Sequence, residues 1–355
     1  MCGALGDGSV RHFYFCYRKL AEELGVLLAD ESDPGKAFNA SPMGVVLGVE
    51  YDLDRWQWWL PENKLVPLVL KLAAIRDSDS VKNSVMLSVN GKLNHYMWLV
   101  PGGPWQRGFL LSLQDAGASG SVEFKVNDLA RRQAGWWVDH LRAARVKSTI
   151  PDLRPMSSLL AVPVFADAAG GSEGKIRNGV GGFCPPHHWF YVPWPRVIRE
   201  NRQNSLSVRL AHKLSCLEAF GSLVGLTIVP DIARNAEIKL VNDNSGFVDA
   251  FRKKHSSCPY LYTVIKAIND VAEGLGCTVS VVKTPRCSGV GEEVADALSK
   301  GDWNRAWPLM PWKNEDPGHV PRSLLRWIGN PIPDLDLGIK VISEMATYTN
   351  VLHLP

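Results

Sequence analysis

The sequence lacks the features that define membrane, secreted and polybasic proteins. None of its 355 residues belongs to an apolar run of 18, the length needed to cross a bilayer, and the best candidate, residues 66–75, is interrupted by Lys71. The N-terminal segment has Asp7, Arg11 and His12 where a signal peptide requires apolar side chains. Lys and Arg number 39 against 36 Asp and Glu, so the net charge of +3 excludes a histone-like protein. We therefore expect an intracellular protein, cytoplasmic or nuclear, with no membrane contact.

Paired cysteines are also absent. The seven cysteines are scattered, and no CxxC pair occurs. Cys184 stands close to His187 and His188, but the second pair of ligands that a zinc site needs is missing. We expect free thiols in a reducing compartment and no zinc site. With 46% apolar and 21% charged residues, the composition is that of an ordinary globular protein.

Hydrophobic periodicity divides the chain into two parts. In the first part it predicts a helix over residues 13–25, a strand over 43–51 with a partner over 52–59, and helices after residue 61, over 80–100 and over 127–144. Residues 148–158 contain two prolines and little periodicity, so we place a domain boundary there.

The second part alternates strands and helices. Its predicted strands are 161–165, 177–184, 188–192, 237–242 and 277–283, and its predicted helices are 207–229, 245–254, 259–274 and 292–300. The first three strands form a meander, and the order is β-β-β-α-β-α-β-α with one extra helix. Beyond residue 303 the chain is rich in Pro and Trp, and residues 335–345 are again amphipathic.

Four carboxylates in the second part occupy notable positions. Asp167 ends the first strand, Glu218 borders the apolar face of the long helix, Asp243 ends the strand over 237–242, and Asp296 lies one turn into the last helix. Each has an ordinary alternative when taken alone: a turn former, a partly exposed helix residue, a helix N-cap and a solvated side chain, respectively. Their joint placement at strand ends and on a helix face favours convergence at one point.

Convergent carboxylates indicate a cation site. Four of them cannot all be ionised in one place unless cations neutralise them. Hard oxygen ligands select Mg²⁺ or Mn²⁺, and two such ions about 3.5–4 Å apart form the usual clamp for phosphodiester hydrolysis. The four residues therefore predict a two-metal phosphodiesterase.

Several sequence runs resemble a known family. AVPVFADAAGG, LSCLEAFGSLVGL, IKLVNDNSGFVDAFRKK and GEEVADALSKGDW resemble the ribonuclease H domain of retrotransposon polyproteins, most closely those of tyrosine-recombinase retroelements. Upstream, LAEELGVLL, GVVLGVEYD, WWLPENKLVPLVLKL and NGKLNHYMWLVPGGPWQRGFL resemble the end of the reverse-transcriptase palm, the thumb and the connection.

The resemblance implies a fold and a division of the chain. The fold is α/β: a ribonuclease H-like mixed five-stranded sheet with flanking helices, preceded by a mostly helical thumb and connection region. The implied segments are a palm remnant over 1–52, thumb and connection helices over 53–150, the ribonuclease H-like domain over 151–302, and a Pro/Trp-rich extension with a helix over 303–355.

It also implies an activity. The family uses an Asp-Glu-Asp-Asp set with two Mg²⁺ ions, here Asp167, Glu218, Asp243 and Asp296, to cut RNA in RNA–DNA hybrids. The polymerase motif Tyr-x-Asp-Asp is absent, so we expect no polymerase activity from this chain alone. A separate polymerase chain or other nucleoprotein subunits are the expected partners. Many members also have a His shortly before the last Asp, whereas residues 284–289 contain none.

Basic side chains near these carboxylates are candidates for binding the nucleic acid. Arg252, Lys253 and Lys254 end the helix that follows Asp243, and Lys283 and Arg286 follow the last strand. They would contact phosphates and read shape instead of base edges. The alternatives are a favourable helix C-terminus for the first three and solvated charges for the others.

A second hypothesis is a binding protein. The missing polymerase core, the missing His and the Trp-rich C-terminal segment also fit a retroelement remnant that has become an idle scaffold in a nucleoprotein assembly. Metal-dependent cleavage of a hybrid separates the two hypotheses.

Overall fold

The computed structural model describes two compact units, residues 1–156 and 157–355. The described residues are Lys19, Glu23, 43–111 apart from 47, 53, 56, 101 and 109, 123–143, 148–149, 161–169, 179–195 apart from 187, 214–229, 233, 236–285, 289–310, 317–328 and 334–352. The predicted helix over 13–25, apart from Lys19 and Glu23, lies outside them, as does Arg286. In the part of the chain that is described, no helix combines the length and apolar character needed to span a bilayer.

In its described residues, the first unit forms α-helices and two small antiparallel sheets. Its elements are β1 (Met43–Val46), β2 (Val49–Asp52), β3 (Gln57–Trp59), α1 (Glu62–Asp77), β4 (Ser80–Lys82), α2 (Asn83–Tyr96), β5 (Glu123–Lys125), α3 (Asp128–Ala143) and β6 (Ser148–Thr149). One sheet has the order β1-β2-β3-β6, and the other pairs β4 with β5. Leu68, Leu72 and Ile75 of α1 are fully buried, which explains the 3–4 spacing of apolar residues in this helix.

Two predicted elements of the first unit differ from the structure. The single strand predicted over 43–51 is a hairpin, because Gly48 has a φ of +77° and turns the chain back between β1 and β2. The helix predicted over 80–100 begins only at Asn83. The preceding residues form β4, whose Val81 is buried opposite Phe124 of β5. This cross-strand pair overrides the helical periodicity.

The second unit is built on a five-stranded mixed sheet flanked by helices. Its elements are β7 (Ala161–Ala168), β8 (Gly179–Cys184), β9 (His188–Pro193), α4 (Leu214–Thr227), β10 (Glu237–Asn242), α5 (Ser245–Lys253), α6 (Pro259–Leu275), β11 (Thr278–Lys283), α7 (Val290–Ser299), α8 (Trp303–Leu309), α9 (Arg322–Ile328) and α10 (Leu337–Leu352). The strand order is β9-β8-β7-β10-β11; β7, β8 and β9 are antiparallel, whereas β10 is parallel to β7 and β11. The expected mixed five-stranded sheet is confirmed.

Glycines let two helices approach the two faces of this sheet closely. On α4, a Cβ at Gly221 would lie 2.4 Å from Val180 Cγ2, and one at Gly225 would lie 2.6 Å from Val164 Cγ1. On β8, a Cβ at Gly181 would lie 2.5 Å from Leu298 Cβ of α7. Because neighbouring residues of a strand face opposite sides, α4 covers one face and α7 the other.

Described residues at and beyond Trp303 make contacts within the second unit. Trp303 and Trp307 of α8 contact Trp189 of β9 edge to face, with ring centroids 6.1 and 5.8 Å apart. Further on, Lys266 of α6 forms a 2.6 Å ion pair with Asp270 and donates to the Leu335 carbonyl at 3.3 Å, just before α10. These contacts join the C-terminal helices to the sheet unit.

Candidate metal centre

A cleft of about 430 Å³ opens at one end of the second unit's sheet. The ends of β7 and β10, the start of α4 and one side of α7 line it, and Arg305 of α8 closes one side. The polar side chains in this lining include all four predicted carboxylates: Asp167, Glu218, Asp243 and Asp296.

Asp167 is the second-last residue of β7 and pairs with Gly181 of β8. The predicted apolar strand over 161–165, with Asp167 at its end, reaches Ala168 in the structure, because pairing with the glycine-rich β8 extends β7. Asp167 faces α7, where the Ser299 hydroxyl lies 2.5 Å from its Oδ2 atom. Burial is the main reason why the pKa of Asp167 is raised, and the charges of Asp296 and Asp243 add to the effect.

Glu218 reaches the cleft because of how α4 lies on the sheet. Gly225 packs beside Val164 of β7, and Gly221, one helical turn earlier, packs beside Ala166. Glu218 precedes Gly221 by about one further turn and therefore lies beside Ala168, the next residue on the same face of β7. The alternative that Glu218 is a partly exposed helix residue was wrong, since the residue is 2% exposed.

The Glu218 carboxyl group is held by neighbouring donors. Asn242 Nδ2 donates to its Oε2 atom at 3.0 Å, and the backbone N–H of Ala168 also donates to it. Burial, followed by the nearby charge of Asp167, raises the pKa of Glu218 to about 9. A carboxyl group with this pKa keeps its proton at neutral pH unless a nearby cation stabilises the carboxylate form.

Asp243 follows β10 directly. Val241 is paired with Phe165 in the parallel β7–β10 ladder, so the same register two residues further places Asp243 beside Asp167. The alternative that Asp243 caps α5 was wrong: the cap is Asn244, whose side chain accepts from the Phe247 N–H at 3.0 Å. The capping role is thus filled by the neighbouring residue.

Three of the four predicted carboxylates meet. One carboxylate oxygen from each of Asp167, Glu218 and Asp243 lies within 4.8 Å of the others. The donors are all oxygen atoms, which suits Mg²⁺ or Mn²⁺ and does not suit a soft metal.

Asp296 lines the same cleft but is not one of these three. Its Oδ1 atom accepts from Lys300 Nζ at 2.5 Å and its Oδ2 atom from Arg305 Nη1 at 2.6 Å. Both oxygens of the fourth carboxylate therefore face cationic side chains.

Sequence patterns did not single out Asn242, Lys300 and Arg305, which line the cleft, or Ser299, which donates to Asp167. Asn242 joins three elements, because it donates to Ala166 O and to Glu218 and accepts from the Asn244 N–H. The Asn-Asp-Asn run at the end of an apolar strand is the signal that would have drawn attention to it. Arg305 had no such signal, because it lies beyond the predicted end of the domain.

The predicted nucleic-acid contacts occupy different places. Arg252, Lys253 and Lys254 end α5, and Lys253 lies about 12 Å along the helix axis from Ser245, the first residue of this helix. Arg252 pairs with Asp249 at 3.5 Å. They do not line the cleft. Lys283 is exposed at the end of β11, in register with Asn242, and so lies at the same edge of the sheet as Asp243.

Of the cysteines that the structure describes, Cys184, Cys216 and Cys277 are free thiols. Burial raises the pKa of Cys184 to about 12, which disfavours the thiolate that zinc requires.

No family model, curated protein or solved structure was found to match this chain.

Proposed function

We propose that the protein is a metal-dependent ribonuclease H-type endonuclease that cuts RNA in RNA–DNA hybrids and derives from a retroelement polyprotein. The observation behind this proposal is the meeting of Asp167, Glu218 and Asp243 within 4.8 Å, each delivered by a different element. The strand order β9-β8-β7-β10-β11, with an antiparallel meander followed by two parallel strands, supports the ribonuclease H-like assignment.

The residues present fit a divalent cation. Glu218 is a buried carboxyl group with a pKa raised to about 9, and it shares its surroundings with two more carboxylates, so a cation is needed before all three can ionise. Asp167, Glu218 and Asp243 would hold Mg²⁺ or Mn²⁺, and Asp296 would complete the predicted set. When bound, such ions activate water and stabilise the charge that develops on phosphate oxygens.

The residues around the three carboxylates keep them in place. Asn242 and the Ala168 N–H fix the Glu218 oxygens, and Ser299 fixes one oxygen of Asp167. Fixed oxygens reduce the reorganisation that ion binding would otherwise require. The chain thus supplies a preorganised set of ligands on two strands and a helix.

The proposed substrate is a duplex containing RNA. Neighbouring cations at this end of the sheet, Lys283, Lys300 and Arg305, suit contacts to phosphates. Recognition of a hybrid by its groove shape and 2′-hydroxyl groups needs no reader of base edges.

The test is cleavage of a labelled RNA–DNA hybrid with and without Mg²⁺. Wild type should cut the RNA strand only with Mg²⁺, and Asp243→Asn should lower the rate at least about 100-fold, since an ion ligand is lost. Asp249→Asn is the matched control, because Asp249 is an exposed Asp on the adjacent helix. Equal rates for wild type and Asp243→Asn would refute the proposal.

The pairing of Asp296 favours a second candidate function. Since Lys300 and Arg305 hold both oxygens of this carboxylate, an idle scaffold that binds nucleic acid or protein subunits without cutting also fits the site. That candidate expects stable co-purification with partners and no Mg²⁺-dependent cleavage. An active protein that purifies alone would exclude it.

A further inference from the structure

We propose that Arg305 is a phosphate-binding residue of the hybrid substrate, held on Asp296 until a divalent ion takes over that carboxylate. The inference rests on the proposed nuclease function, because it names how the same cleft would bind its substrate. It concerns a residue outside the segment that the sequence resemblance implied for the nuclease domain.

The backbone around Arg305 is firmly fixed. Helix α7 ends at Ser299, and Gly301 just beyond it has a φ of +62°. The Gly301 N–H donates to Leu298 O and the Asp302 N–H donates to Ala297 O. This Schellman ending turns the chain into α8. Asp302 then caps α8 by accepting from the Arg305 N–H at 3.2 Å.

The side chains of α8 also anchor it. Ala306 is fully buried in a cluster with Phe183 and Leu298, and Trp303 and Trp307 pack against the same cluster. The guanidinium of Arg305 is therefore carried by a rigid element at the side of the cleft. Its position follows from the fold and does not depend on a flexible tail.

The cleft contains more acidic than basic side chains, so each basic side chain matters for binding a nucleic acid. The lining contains five carboxylate residues, Asp167, Glu218, Asp243, Glu292 and Asp296, against two cationic ones, Lys300 and Arg305. A polyanionic nucleic acid needs positive charge there, from ions or from side chains. In the structure both cations are directed to Asp296.

Ion binding would change this pairing. If Asp296 turns its oxygens towards an ion, Arg305 gives up this contact to Asp296 and remains at the side of the cleft, where the substrate backbone would lie. A guanidinium can bind a phosphate with two parallel hydrogen bonds, so phosphate is the natural replacement. Lys300 lies four residues from Asp296 on the same helical face and stays beside it in either state.

The test measures binding of an RNA–DNA hybrid, so it does not depend on turnover. The hybrid is titrated by fluorescence anisotropy with EDTA or with Ca²⁺ in place of Mg²⁺, for wild type, Arg305→Gln, Asp296→Asn and the double variant. Arg326→Gln is the control, since Arg326 is an exposed arginine on α9.

The expected results differ between the two conditions. With Ca²⁺, Arg305→Gln should weaken binding about tenfold, as expected for a charge-assisted hydrogen bond, and should lower the salt dependence by about one phosphate contact. With EDTA its effect should be under about twofold, because Asp296 then occupies Arg305. Asp296→Asn should tighten binding with EDTA, and that gain should vanish in the double variant.

Three outcomes would overturn the inference. They are equal losses for Arg305→Gln in both conditions, a gain from Asp296→Asn that persists without Arg305, and absence of hybrid binding by wild type. Arg305→Lys keeps the positive charge but cannot form the two parallel hydrogen bonds of a guanidinium to a phosphate. An affinity with Ca²⁺ between those of wild type and Arg305→Gln would therefore indicate lost phosphate recognition, whereas misfolding would remove binding in both variants.

The inference and the proposed nuclease function can fail separately. If the ion-dependent effect of Arg305 is seen without any cleavage, the nuclease proposal fails and the phosphate site stands. If Asp243-dependent cleavage is seen and Arg305→Gln binds as wild type does, the reverse holds.

Discussion

Glu218 is the residue whose chemistry depends most on its surroundings. Burial in α4 and the neighbouring Asp167 raise its pKa from an ordinary 4.5 to about 9. At pH values between 4.5 and about 9, Glu218 therefore keeps its proton in the folded protein but has lost it in the unfolded chain. Stability in the absence of divalent ions should fall as the pH rises through this range, because the unfolded state loses its proton first.

The corresponding prediction uses Glu218→Gln. With EDTA, the thermal midpoint of wild type should decrease as the pH is raised from 5 to 9. The midpoint of the variant should decrease less over the same range, because its amide carries no titrating proton. Asp167 and Asp270, whose pKa values are also raised by burial, contribute to the remaining slope. Glu62→Gln, at an exposed glutamate in the first turn of α1, should keep the pH dependence of wild type. A midpoint that rises with pH in wild type would contradict this account.

The sequence predicted these residues unequally, for a physical reason. The acidic residue types at strand ends were visible, so Asp167 and Asp243 could be selected. The burial of Glu218 could not be predicted, because it depends on Gly221 and Gly225 seating α4 against two particular strands. The pairing of Asp296 depends on Arg305, whose position follows from a turn at Gly301 that periodicity does not show.

At the scale of elements, the end of α7 controls the direction of α8. Gly301 has a φ of +62°, a conformation that costs a residue with a Cβ about 1–2 kcal/mol. Gly276 ends α6 in the same way, with a φ of +66° and with nothing within 4 Å of an added Cβ. The two glycines form a matched pair, one beside the cleft and one away from it.

We predict that Gly301→Ala and Gly276→Ala each lower the free energy of unfolding by about 1–2 kcal/mol. Only Gly301→Ala should also weaken hybrid binding with Ca²⁺, because it disturbs the helix that carries Arg305. Chemical denaturation and anisotropy measure the two effects. Equal hybrid affinity in both variants would show that α8 does not need this exact turn to place Arg305.

Element types were predicted more reliably than element ends. The five strands and the helices of the second unit follow from apolar alternation and 3–4 spacing, since burial on one face enforces these periods. The end of β7 is set by its pairing with β8, and the start of α2 is set by the pairing of β4 with β5. Because the paired strands are separate in sequence, local patterns misplace these ends.

At the scale of the whole molecule, the candidate site lies within one of the two units. All residues that line the cleft belong to 157–355. Divalent ions should therefore bind only the folded form of that unit and raise its free energy of unfolding.

Hydrogen exchange with mass spectrometry tests this expectation. Mg²⁺ should slow amide exchange in β7, β10 and the start of α4, and should leave α1 and α3 unchanged. Asp243→Asn should abolish this protection, whereas Asp249→Asn should retain it. Equal protection of α1 and α3 would place the ion's effect outside the cleft.

The contacts of Lys266 bear on how the second unit can be shortened. Its ammonium group is shared between Asp270 and the Leu335 carbonyl, and Gly338 of α10 lies against Asp270 so closely that a Cβ there would be 2.4 Å from Asp270 Cβ. A fragment that stops at residue 302 would leave this side of α6, with its apolar side chains, open to water. Such a fragment should be poorly soluble and prone to aggregate, so a recombinant form of the second unit has to extend through α10.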